Sequence, residues 1–91
     1  MNTSVGFLFN RKTGKVVKTL TGHSSLLKLF AMNNNVSATR DYVIFNADGI
    51  CEGYFEGKKN DMPTICNDMV GKEAEDFGFS KNVIADILVE S

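Results

Sequence analysis

The sequence predicts an α+β domain: a four-stranded, mainly antiparallel sheet in the order ββαββ with a packed helix, followed by two or three short C-terminal helices. Three observations predict it. Two β-branched and aromatic runs around an Asp-Gly turn mark a hairpin at 41–57, DYVIFNADGICEGYFEG. A second pair of such runs, at 4–10 and 15–21, flanks a Gly-containing loop. Between and after the hairpins the apolar spacing changes from 2 to the 3.6 of a helix.

The first strand covers 4–10 (SVGFLFN), with Val5, Phe7 and Phe9 sharing one face. The loop 10–14 (NRKTG) places Gly14 where positive φ is required. The return strand 15–21 (KVVKTLT) is thinner in apolar residues and carries Lys15 and Lys18. That pattern suits an edge strand, since charge on an edge discourages unwanted pairing. Ser24 or Ser25 is placed to cap the next helix, whose core face is read as Leu26, Leu29, Phe30 and Asn33, with Leu27 beside it. Asn33, Asn34 and Asn35 are poor helix formers and end it after about ten residues.

Tyr42, Val43, Ile44 and Phe45 are apolar on both faces, which predicts a central strand. Asp48-Gly49 supplies the turn. In the following strand Cys51 and Phe55 are read as the core side, with Ile50, Glu52, Tyr54 and Glu56 opposite. Gly53 there suggests a bulge or a closely packed helix. Beyond a polar connector at 58–61, Asp61 is read as an N-cap and Pro63 as a first-turn residue. The helix they open carries Ile65, Cys66, Met69 and Val70 on one side. A short helix from Lys72 to Gly78 follows. Ser80 then caps a last helix with Val83, Ile84, Ile87 and Leu88 as its apolar stripe.

Ninety-one residues make one domain, 1–91, with the sheet and first helix in 1–60 and a helical cap in 61–91. An apolar fraction of 43% against 23% charged residues argues against disorder. No run approaches the roughly 18 apolar residues of a membrane helix. The N-terminal stretch lacks a basic n-region, so a cytoplasmic protein with no membrane partner is expected. The texture, rich in Asn, Lys and Phe, resembles that of small accessory proteins of phages and mobile elements.

No catalytic or metal signature stands out, and neither an enzyme nor a cofactor is expected. His23 is the only histidine and sits in a turn. A base would need an oriented partner that sequence does not show. Cys51 and Cys66 are too far apart for a CxxC motif and read as reduced, buried thiols acting as small apolar residues. Glu73, Glu75 and Asp76 lack the alternating ligands and central Gly of an EF-hand loop.

Charge is unevenly distributed. Residues 1–60 hold eight Lys or Arg against four Asp or Glu; residues 61–91 hold two against seven. The expected function is therefore a non-catalytic protein-interaction module: an inhibitor, adaptor or assembly factor. Its partner contacts are assigned to the basic hairpin (Arg11, Lys12, Lys15, Lys18) and to the acidic stretch (Glu73, Glu75, Asp76). Self-association through the exposed sheet edge is open.

The alternative is nucleic-acid binding, by either of two routes. From Ala74 the chain reads AEDFGFSKNVIADIL, in which Ala74, Gly78, Ser80 and Ile84 resemble the core of a helix-turn-helix unit. Lys81, Asn82, Ala85 and Asp86 would then be exposed on its recognition helix. Glu73 stands where that motif prefers an apolar residue, and the segment is acidic. The second route uses the strand aromatics Phe7, Phe9, Tyr42, Phe45, Tyr54 and Phe55 as a stacking platform beside the basic hairpin.

Overall fold

The computed structural model describes residues 3–57 and 63–90. The first hairpin is β1 (Thr3–Asn10) and β2 (Val16–His23), and the second is β3 (Arg40–Phe45) and β4 (Cys51–Glu56). Helix α1 (Ser24–Phe30) continues into a π-helical stretch, Ala31–Asn35, between them. A two-residue strand β5 (Thr64–Ile65), 3₁₀ turns at Asn67–Met69 and Ala74–Phe77, and helix α2 (Lys81–Glu90) complete the chain. The sheet order is β2-β1-β3-β4-β5, antiparallel at every pairing. The prediction of two hairpins around a helix holds, with β2 on an edge and β3 at the centre.

The fifth strand is a correction. No helix opens at Pro63; the expected Asp61 cap lies outside the described residues. Instead Thr64 and Ile65 pair with Glu56 and Phe55. The chain then follows the outer edge of β4: Cys66 N–H donates to the Tyr54 carbonyl, Gly71 N–H to Cys51 O, and Cys51 N–H to Lys72 O. The reason is local competition. The unpaired backbone of β4 needs partners, and the β-branched pair Thr64-Ile65 suits a strand. Ile65 and Val70 are consequently exposed and do not form a core stripe.

Both faces of the sheet are covered. On one face α1 packs Leu27 and Ala31 onto Leu8, Tyr42, Ile44 and Phe55, with Phe30 and Met32 at the margin. On the other, the C-terminal segment packs Ala74 and Ile84 onto Val5, Phe7, Val43, Phe45 and Cys51. Phe77, Phe79, Ile87 and Leu88 extend that second core. Each large side chain fully buried in these clusters contributes roughly 2–3 kcal/mol of apolar transfer energy.

The buried face of α1 differs from the expected one. Leu27 and Ala31 point inward, whereas Leu26 and Leu29 are 62% and 54% exposed. Asn33 would have placed an amide in the core on the expected phase. Ala31, small and fully buried, sits where the helix meets the sheet. His23 itself is the N-cap: its Nδ1 accepts from the Ser25 N–H, in place of the expected serine.

In β4 the expected facing fails for one reason, a bulge. Ile44 pairs with Gly53 but Phe45 pairs with Cys51, so Glu52 is the extra residue. Alternation shifts by one across it. Cys51 therefore lies in the C-terminal core and Phe55 in the α1 core, on opposite faces. Tyr54, expected toward solvent, is half-buried with its ring stacked on Phe77 at 5.5 Å.

Candidate interaction surface

The carboxylates and cations assigned from sequence fall into two groups. The first group is already bonded within the fold. Arg11 Nε donates to Asp41 Oδ1 at 2.9 Å and Arg11 Nη2 to the Gly57 carbonyl at 2.8 Å. Tyr54 Oη donates to the other Asp41 oxygen at 2.6 Å. Asp41 is only 4% exposed, so this pairing satisfies a buried carboxylate at the junction of β1, β3 and β4. The bond to Asp41 raises the Arg11 pKa further above its ordinary value. Arg11 is thus a structural residue.

The acidic stretch is also bonded internally. Glu73 and Asp76 form a reciprocal capping box around the 3₁₀ turn Ala74–Phe77. Glu75 accepts from the Lys81 N–H at 3.0 Å, and the Ser80 hydroxyl accepts from the Asn82 N–H at 3.2 Å, as expected of an N-cap. Lys81 Nζ is ion-paired with Glu73. That pairing, foremost, raises its pKa. Glu73, Glu75, Asp76 and Lys81 together anchor the start of α2.

This geometry removes the helix-turn-helix unit. Gly78, at φ 84°, does make the tight turn, but the element before it is a single 3₁₀ turn of four residues. Among the described residues no α-helix lies between β4 and α2 to cross a DNA backbone while α2 enters a groove. Lys81 is ion-paired, and Asn82, Ala85 and Asp86 are exposed. The aromatic platform is removed too. Phe7, Tyr42, Phe45 and Phe55 are buried on a sheet covered on both faces. Phe9 and Tyr54 pack at the rim of the C-terminal core, with Phe9 edge-on to Phe79 and Tyr54 stacked on Phe77.

The second group is uncommitted. Lys12, Lys15 and Lys18 are exposed and form no ion pair among the described residues. Lys18 Nζ lies 5.6 Å above the Phe30 ring, which draws its side chain toward the α1 side. All lie on the β1–β2 hairpin, and β2 is the open edge of the sheet. Its backbone bonds to β1 on one side and to nothing on the other among the described residues. Val16 and Val17 are 37% and 45% exposed on the same strand.

Two further surfaces were not visible in the sequence reading. One is a polar groove of about 470 Å³ at the sheet end, lined by Ser4, His23, Ser24, Asn46, Asp48 and Glu52. It brings His23 beside carboxylates, but the polar groups form separate pairs. Ser4 Oγ donates to Glu52 at 2.5 Å, and His23 Nδ1 bonds to the Ser25 hydroxyl at 2.8 Å in its own cap. No direct hydrogen bond among the described residues links the two pairs. No group of His, Cys, Asp or Glu among the described residues could hold a metal ion. Burial, foremost, raises both thiols above their ordinary pKa, which opposes thiolate formation.

The other is an apolar groove of about 270 Å³ between α1 and β4, lined by Lys28, Met32, Phe55, Ile65 and Val70. Leu26 and Leu29, exposed on α1, do not line it but add to the apolar surface of the helix. A signal for it existed. Residues 26, 27, 29, 30, 31 and 32 are all apolar, more of the circumference than one sheet face can bury.

No protein-family model, no curated protein and no solved structure matches this chain. No helix among the described residues is long and apolar enough to cross a membrane.

Proposed function

We propose that this protein is a small non-catalytic protein-interaction module, an inhibitor, adaptor or assembly factor, and that its partner docks on the β1–β2 hairpin. One observation carries the reading. The acidic stretch Glu73, Glu75 and Asp76 is bonded in the caps of the 3₁₀ turn and of α2, whereas Lys12, Lys15 and Lys18 form no ion pair among the described residues and lie on the hairpin at the sheet edge. Exposed lysines with a free field steer association more than they add final affinity. A protein partner is favoured over nucleic acid because the aromatic rings that would stack on bases are buried.

The test is a pull-down from native lysate at low salt, with nuclease treatment, using the wild type and a Lys12→Glu/Lys15→Glu variant. A protein recovered near stoichiometrically by the wild type and lost by the correctly folded variant is the expected outcome. Recovery of nucleic acid alone, or equal recovery of the protein by both forms, would overturn it.

A further inference from the structure

Deepening the interaction reading and resting on it, we infer that the hairpin takes an acidic extended segment of a partner protein, which adds to β2 as a sixth strand of the sheet. Strand addition is the recognition mode that an unpaired edge invites, because main-chain hydrogen bonds supply affinity without sequence-specific contacts.

The register fixes what the added strand must carry. Lys18 lies opposite Leu8, and Leu20 opposite Gly6, so both are on the α1 side. Thr19 and Thr21 lie opposite Phe7 and Val5, on the other side. The irregularity between Leu8 and Phe9 leaves Val17 as an extra residue near the turn. Regular pairing with a guest therefore runs from Lys18 toward Gly22. A guest strand presents alternate side chains to the two sides. Those on the α1 side sit beside Lys18 and Leu20; a carboxylate beside Lys18 gains an opposite-charge cross-strand pair. Those on the other side sit beside Thr19 and Thr21, where β-branched residues pack well.

The same lysines argue against a second copy of this chain as the occupant. Antiparallel pairing of two β2 strands over Lys18–Gly22 would set Lys18 against Gly22, and a second β2 (VVKTLTGH) carries no carboxylate to meet the lysines. An acidic strand supplies that carboxylate.

The probe is a blocked octapeptide alternating Glu and Val, titrated into the isotopically labelled intact protein and followed by NMR. Two controls accompany it: the same peptide with Lys for Glu, and the Glu-Val peptide N-methylated at alternate residues, which keeps the charge but cannot pair. The expected result is shift changes and slowed hydrogen exchange at the β2 amides that do not bond to β1. Neither control should produce them, and affinity should fall about tenfold between low and moderate salt, as screening shortens the reach of the lysines.

Equal binding of the N-methylated peptide would show a charge patch without strand addition and overturn the inference. So would shifts confined to Leu26, Leu29 and Met32, or a concentration-dependent dimer formed through β2. If the acidic peptide leaves β2 untouched while the lysine-dependent partner is still captured from lysate, the strand mechanism fails and the interaction reading survives. If no partner is captured, the interaction reading itself falls.

Discussion

Tyr42 and Asp41 are neighbours in β3 that point to opposite sides of the sheet and meet opposite conditions. The Asp41 carboxylate, buried, is met by Arg11 and by the Tyr54 hydroxyl. The Tyr42 hydroxyl is buried with no hydrogen-bond partner among the described residues. Its ring lies across Gly6, and a Cβ at that position would overlap the hydroxyl. Glycine there makes room for the ring but gives the oxygen nothing to bond. Leaving a buried hydroxyl unsatisfied costs about 1–3 kcal/mol, so removing it relieves that penalty. Tyr42→Phe is therefore expected to be neutral or stabilising by up to about 1 kcal/mol in urea denaturation, the void left by one oxygen offsetting part of the gain. A loss of more than about 1 kcal/mol would mean that the hydroxyl has a partner after all. Asp41→Ala, which strands Arg11 and Tyr54, is expected to lose about 2–3 kcal/mol. Composition and pattern identified Tyr42 as core. They could not show its unpaired oxygen, because hydrogen-bond satisfaction depends on neighbours distant in the chain.

At the scale of elements, the sequence was legible wherever local chemistry alone decides. The Asp48-Gly49 turn, the edge character of β2, the centrality of β3 and the Ser80 cap all follow from residue types at short range. Two things were illegible because they depend on what lies alongside. The bulge at Glu52 is invisible to a period-2 reading, yet it sends Cys51 and Phe55 to opposite cores. The segment after Pro63 has helical spacing, yet the free edge of β4 outcompetes it. The candidate surface was legible in part. Of the residues assigned to partner contact, Lys12, Lys15 and Lys18 are exposed, whereas Arg11 and the acidic stretch, which look no different in sequence, are bonded within the fold. The cap chemistry of α2 can be tested at this scale. Ser80→Ala removes an acceptor for the Asn82 N–H and is expected to destabilise the domain by about 1 kcal/mol. An unchanged urea midpoint would show that the neighbouring Glu75, which already accepts from Lys81 N–H, carries the cap alone.

For the whole molecule, covering a single sheet on both faces places neutral ionisable groups in two cores at once. Burial, foremost, raises the pKa of Tyr42 on the α1 side and of Cys51 on the other, and that of Tyr54 at the rim, where the bond to Asp41 adds to it. In the unfolded chain these groups titrate near their ordinary values, about 8.5 for a thiol and about 10 for a phenol. A group whose folded pKa is raised contributes stability in full below the unfolded pKa and loses it as pH rises toward the folded one. Folding stability is therefore expected to be level through neutral pH with respect to these groups and to fall from about pH 9 upward, the thiol first and the phenols after. Urea midpoints measured across that range would show it. Tyr42→Phe should remove part of the decline above about pH 10 while leaving the thiol-linked part in place. A wild-type stability that stays flat to about pH 11 would contradict the burial of all three groups. Through the neutral range the fold itself is unaffected by these titrations. Salt dependence of partner binding measured near neutral pH therefore reports on the hairpin's charge and not on partial unfolding.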